Sequence, residues 1–180
     1  TGEILAMANR PTFDSNQFTQ APPETRRNRA VTDTVEPGSA FKIVTAAVAL
    51  TKNAVKPEET FYCENGAYPV AGRILHDYRP HGWLTFQEVI TQSSNIGTAK
   101  VAMRLGPNAI YEGVRAFGFG TPTGVELPGE VGGTAKPPSQ WSRPSITAIP
   151  IGQEVTVTTV QLAQAISAVA NGGLLVRPWV

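Results

Sequence analysis

Apolar residues recur at helical spacing in five stretches of the chain and read as a strand in one. The strand is residues 3–9, EILAMAN, with Thr1-Gly2 as the arm of a hairpin turn whose partner strand lies outside the chain. The polar, proline-rich run 10–29 predicts a loop. Pro37-Gly38 then breaks the chain, and a helix is expected from Ser39 to about Thr51, with Ile43, Ala46, Ala47 and Leu50 as its buried stripe. Residues 57–84 predict irregular backbone with short strand-like pieces. Thr85-Phe86-Gln87-Glu88 is a capping box, in which hydroxyl and carboxylate each satisfy an orphan amide, and its helix is short, ending near Gln92.

Ser93-Ser94-Asn95 is a polar break, followed by a helix from about Ile96 to Leu105. Gly106-Pro107 starts a further helix with proline in its first turn, and Gly118 ends it. Residues 119–155 are rich in glycine and proline. A last helix is expected from about Thr158 to Ala170, stopped at Gly172-Gly173. No internal repeat and no low-complexity tract interrupts this order.

Composition narrows the partners. The 180 residues fit one domain with a sizeable core. Fifteen Lys and Arg against 14 acids give a net charge of +1, which argues against a nucleic-acid or acidic-membrane binder. Arg26, Arg27 and Arg29 cluster in a segment that reads more simply as a solvated loop than as an anion site. The single cysteine, Cys63, cannot form an internal disulfide and reads as a small packing residue. No run approaches the ~18 apolar residues that span a bilayer. The abrupt start at TGEILAMANR suggests a piece of a longer polypeptide.

The chemistry is in VEPGSAFKIVT. Ser39 and Lys42 have the spacing S-x-x-K, so they share one helical face with Cβ atoms about 5–6 Å apart. A serine hydroxyl needs a neighbouring base to become a nucleophile. A partly buried lysine can be that base, because burial lowers its pKa. A helix N-terminus also favours an oxyanion. The motif alone equally describes an N-cap serine followed by a solvated lysine. A second element, S-x-N at Ser93 and Asn95, strengthens the chemical reading: a serine there can relay a proton between Lys42 and a leaving group. The asparagine can contact a substrate amide or hold the lysine. A helix cap is the competing role for both.

RNRAVTDTVEPGSAFKIVT and QSSNIGTAKVA together resemble the transpeptidase domain of class B penicillin-binding proteins, most closely the monofunctional, division-type members. TGEILAMANRPTFDSN is similar to the strand and loop that open that domain, and IGQEVTVTTVQLAQAISAVANGG to the segment that closes its helical part. The resemblance covers essentially all 180 residues. It implies an α/β (α+β) fold in which a five-stranded antiparallel sheet is flanked by helices, represented here mainly by the helical part plus an N-terminal strand. Residues 1–180 would then be the N-terminal and helical portion of one transpeptidase domain. Ser39 would be the acylated nucleophile, Lys42 its base, Ser93 the relay and Asn95 a substrate contact. The substrate implied is the D-alanyl-D-alanine end of a peptidoglycan stem peptide, with β-lactams as covalent mimics and no metal or organic cofactor. A membrane glycan polymerase and divisome proteins are the implied partners. The implied location is the extracytoplasmic face of the bacterial envelope, with an inner-membrane anchor outside this chain.

The sequence departs from the family pattern in two respects. The third motif, K-T-G, is absent, since neither Gly132-Gly133-Thr134-Ala135-Lys136 nor Val176-Arg177-Pro178 fits it. In the family that strand lies downstream and supplies a wall of the site. Ala40 inside S-x-x-K is less usual than Thr or Val, but its side chain is not catalytic. His76, Asp77 and His81 invite a metal reading that a Pro/Gly loop without further ligands does not support. Trp83, Trp141 and Trp179 are too scattered for a stacking platform and read as packing residues. Gly152-Gln153 borders the cleft by resemblance, and MANRP and ELPGE read as structural turns. A D,D-carboxypeptidase, a serine β-lactamase or a non-catalytic β-lactam sensor would share Ser39 and the fold.

Overall fold

Six α-helices and four short strands form along residues 1–180, all of which the computed structural model describes. In chain order they are α1 (Arg29–Thr32), α2 (Lys42–Thr51), β1 (Thr60–Tyr62), β2 (Ala67–Val70), β3 (Arg73–His76), β4 (Trp83–Thr85), α3 (Phe86–Thr91), α4 (Asn95–Ala116), α5 (Ser145–Ala148) and α6 (Thr159–Ala170). Short 3₁₀ turns join several of them. No helix is long and apolar enough to cross a membrane. The elements sort into two units. One comprises Thr1–Val35, Gly118–Thr134 and Val157–Val180; the other comprises Glu36–Phe117 and Ala135–Thr156.

In the first unit α1 and α6 surround a core of Val31, Val125 and Val160, with Ile4, Met7, Ala30 and Leu127 packed against it. Thr158 caps α6 and forms the full box with Gln161. Gln161 is 1% exposed, and its amide is fully used: Nε2 donates to Thr121 O (2.7 Å) and Gly132 O (2.8 Å), while Oε1 accepts from Thr158 N (2.8 Å). In the ELPGE turn, Glu130 accepts from the amides of Thr123 (2.7 Å) and Gly124 (3.0 Å). Arg27 and Arg29 both pair with Asp33. The run 3–9 is not a strand. It makes a single parallel bridge, Glu3 to Trp179, with Ile4 N donating to Trp179 O (2.9 Å). A strand exists only where a neighbour supplies successive ladder bonds, and here the ladder stops after one residue.

The second unit holds both small sheets. β1 pairs antiparallel with β4, Phe61 opposite Leu84. β2 and β3 form a hairpin closed by Ala71-Gly72, both at positive φ (54° and 83°), as a two-residue primed turn requires. The capping box at Thr85 forms as expected, Glu88 N donating to Thr85 Oγ1 (3.2 Å) and Thr85 N to Glu88 Oε2 (2.8 Å). Within α4, Gly106 leaves helical geometry (φ 79°, ψ 163°) and Pro107 restarts it, so the two expected helices run as one interrupted element. The core gathers Ala49, Val55, Phe61, Cys63, Leu75, Phe86, Val89, Ile96, Ala99, Val101 and Ile151.

Two expectations for α2 need correction. Ser39 does not open an α-helix; it sits in a 3₁₀ turn, Gly38–Phe41, and the α-helix begins at Lys42. The buried face is also different. Phe41, Val44, Thr45, Val48 and Ala49 point inward, while Leu50 is 44% exposed. The helix is apolar on nearly every side, so hydrophobic spacing cannot choose a face. Two polar anchors choose it instead: Lys42, and Thr45, whose Oγ1 donates to Pro150 O (3.2 Å).

Candidate active site

Three backbone segments of the second unit build the surroundings of Lys42. The first is the 3₁₀ turn itself. In a 3₁₀ helix residues i and i+3 lie on one side, which puts Ser39 and the C-cap residue Lys42 on the same side of the turn, with no hydrogen bond between their side chains. Gly38 adopts φ 55°, and its amide donates to Gly152 O (3.1 Å). Gly152 is itself left-handed (φ 80°), and a Cβ there would lie 2.1 Å from Gly38 O. The turn carrying Ser39 is therefore braced, backbone against backbone, by a position only glycine can fill. Gly152, placed by resemblance at the border of the cleft, touches the residue before the serine.

The second segment is the break at 93–95. Lys42 is 2% exposed, yet Ser39 is exposed, so the motif puts its hydroxyl outside and its amine inside. Lys42 Nζ donates to Ser93 O (2.5 Å) and to Ser93 Oγ (3.0 Å). Burial brings the Lys42 pKa from the ordinary 10.5 down to about 8, against the opposing pull of the Asp77 carboxylate. Near neutral pH an appreciable fraction of such an amine is free base. Ser93 stands at φ 57°, a left-handed geometry that costs a non-glycine residue about 1–3 kcal/mol and recurs at functional sites.

The structure separates the two serines. Ser94, not Ser93, is the helix cap: its Oγ accepts from Gly97 N (2.9 Å) and it is 1% exposed. Ser93 is left for Lys42. Asn95 opens α4, and its side-chain amide donates to His76 O (2.8 Å) rather than to Lys42. An asparagine amide has a second N–H and an acceptor oxygen. Ser39, Lys42, Ser93 and Asn95 thus occupy one unit, with Lys42 and Ser93 in direct contact.

The third segment carries a residue that sequence reasoning passed over. Asp77 lies just past β3, between His76 and His81. Its Oδ1 accepts from the amides of Asn95 (2.5 Å) and Ile96 (3.0 Å), and its Oδ2 from Ser94 Oγ (2.7 Å). A carboxylate at a helix start is worth about 0.3–1 kcal/mol at a surface, more when partly buried. No local sequence signal marks this role, because its partners lie 17 to 19 residues away. Cys63 is completely buried, and burial pushes its thiol pKa up, the reverse of what a nucleophilic thiol needs. Trp83 is 68% exposed, lying against Tyr62 at the edge of a two-stranded sheet rather than in the core.

Chemically, a hydroxyl on a helix-opening turn, a buried amine with lowered pKa and a second hydroxyl bonded to that amine can perform acyl transfer. Comparison with known proteins points the same way. The model of the penicillin binding protein transpeptidase domain matches residues 1–180. The chain is 40% identical over 181 residues to penicillin-binding protein PbpB of Mycolicibacterium smegmatis, covering 99% of the chain and 28% of that protein. It is 32% identical over 174 residues to peptidoglycan D,D-transpeptidase FtsI of Escherichia coli, covering 97% of the chain and 29% of that protein. The crystal structure of penicillin binding protein 3 from Mycobacterium tuberculosis, complexed with aztreonam, superposes with a TM-score of 0.92 at 38% identity, over 99% of this chain and 40% of that one. The chain spans less than a third of the length of these two curated relatives.

Proposed function

The chain belongs to the penicillin-binding protein transpeptidase domain family, and we propose that it carries the acylating half of a peptidoglycan D,D-transpeptidase site. Ser39 Oγ attacks the carbonyl of the penultimate D-alanine, and its proton passes to neutral Lys42. The tetrahedral oxyanion is met by the amide of Ser39 itself, since the Gly38 amide is already bonded to Gly152 O. The C–N bond breaks, and the departing D-alanine takes a proton from Lys42 through Ser93. An amine of a second stem peptide then attacks the Ser39 ester. The new amide forms, and Ser39 recovers its proton. Asn95 holds the substrate backbone through its remaining amide valences. β-Lactams, whose amide imitates the same bond, acylate Ser39 and stay.

The observation that carries this reading is the contact of buried Lys42 Nζ with Ser93 Oγ at 3.0 Å, three residues after an exposed serine. The names of the relatives support it: several are called peptidoglycan D,D-transpeptidases. We assign the domain to the extracytoplasmic side of the cell envelope, where its substrate lies, with a membrane glycan polymerase and cell-division proteins as partners. The remaining strands of the domain, including the K-T-G strand, come from sequence beyond these 180 residues.

The test supplies the intact protein with a stem pentapeptide ending in D-Ala-D-Ala and an acceptor amine. The expected result is release of D-alanine together with a cross-linked peptide, both lost in Ser39→Ala. Release of D-alanine without cross-link would make it a carboxypeptidase. Rapid hydrolysis of penicillin without a lasting adduct would make it a β-lactamase. Stable penicillin acylation without either peptide product would make it a sensor.

A further inference from the structure

Between exposed His76 and exposed Tyr78, Asp77 turns its carboxylate to the start of α4. Both oxygens are used. Oδ1 holds the amides of Asn95 and Ile96, and Oδ2 holds the Ser94 hydroxyl. The backbone of the preceding residue joins in, since His76 O accepts from Asn95 Nδ2 (2.8 Å). Four hydrogen bonds therefore tie the end of β3 to three consecutive residues, 94 to 96. Ser93, held at φ 57°, is the next residue back and the one that Lys42 grips. By engaging Ser94 as a cap, this clamp leaves Ser93 as the serine that faces the amine.

We infer that Asp77 is a positioning residue of the proposed site: its carboxylate fixes the Ser93-Ser94-Asn95 turn against Lys42 and places a negative charge behind that turn. This rests on the transpeptidase reading, because that reading gives the turn its task. The two roles are separable. Asparagine in place of Asp77 keeps an acceptor for the amides and loses the charge; alanine loses both. Asp77 is the one charge with a resolved effect on Lys42, and it raises the Lys42 pKa. Asp77 also faces the buried Cys63 thiol, which Lys100 reaches too, and Lys100 is itself paired with Glu64. His76 and Tyr78 flank Asp77 along the chain. Removing the Asp77 charge should therefore make Lys42 easier to deprotonate.

The test measures the rate of acylation by a fluorescent penicillin from about pH 6 to about pH 10 in the intact protein. The Lys42 titration is followed in parallel by NMR of its side-chain carbon. Wild type should rise through about pH 8. Asp77→Asn should stay folded, with both the rate inflection and the Lys42 midpoint moved to lower pH. Asp77→Ala should acylate about ten- to a hundredfold more slowly at every pH, because the relay serine is no longer held in register. An unchanged Lys42 midpoint in Asp77→Asn, or an Asp77→Ala rate within about twofold of wild type, would overturn the inference. If wild type takes no penicillin at all, the transpeptidase reading falls, and the Lys42 midpoint in Asp77→Asn still decides the role of Asp77.

Discussion

At the scale of single residues, the site depends on a lysine in an expensive place. Lys42 is almost fully buried and satisfies its amine with one serine, Ser93. Its folded pKa of about 8 lies below the ordinary 10.5. The folded state therefore binds this proton less tightly than the unfolded chain, so stability rises with pH between about 8 and 10.5 and is lowest below that window. In the proposed mechanism acylation needs the neutral amine, so it should climb as pH rises through about 8 and level off above. A rate independent of pH across that range would remove Lys42 as the base. Lys42→Ala should slow acylation about 10²- to 10⁴-fold, the usual contribution of a positioned base. Lys42→Met should lose acylation similarly while melting no lower than wild type near neutral pH, since it deletes a buried charge. A lower melting point would mean that the Ser93 contact contributes more than burial costs.

Elements explain which parts of this arrangement were legible in the sequence. The box at Thr85 was readable because a capping box is local, four residues satisfying each other. The break at Gly106-Pro107 was readable for the same reason. The matching box at Thr158, with glutamine at its third position, was passed over. The stripe on α2 was not, because an all-apolar helix offers several equivalent faces and distant partners, Ser93 and Pro150, select among them. Residues 3–9 look like a strand, but strand formation depends on a neighbour, and the ladder to Trp179 is one residue long. Asp77 was hidden in a loop whose histidines drew attention to metal. The brace between Gly38 and Gly152 belongs to this scale too. Gly152→Ala would force a non-glycine residue to φ 80° and drive a Cβ into Gly38 O. It should cost at least about 1–3 kcal/mol and slow acylation by displacing the Ser39 turn. Thermal melts and penicillin acylation check both; a variant with wild-type stability would show that the turn can move away.

The molecule as a whole distributes its polar groups unevenly in purpose. In one unit, buried Gln161 ties Thr121 O, Gly132 O and Thr158 N together purely to hold a fold. In the other, Lys42 holds Ser93 while Asp77 holds the adjoining residues 94 to 96, an arrangement that also suits proton transfer. Gln161→Ala should cost about 2–5 kcal/mol by orphaning two carbonyls and an amide, read as a lower denaturation midpoint; an unchanged midpoint would show that water replaces the amide. The S-x-x-K and S-x-N motifs were legible as a pair because their chemistry needs those residue types. Their meeting across 51 residues was expected from that chemistry and from the family resemblance, since no local signal joins Lys42 to Ser93.

The central claim is that Ser39 becomes an acyl-enzyme. The most direct measurement is mass spectrometry of the intact protein after incubation with benzylpenicillin, with the adduct mapped by digestion. A lasting adduct of one penicillin, confined to the peptide bearing Ser39 and absent from Ser39→Ala, is the predicted result. An adduct on another residue, or unmodified protein beside unchanged antibiotic, would contradict it.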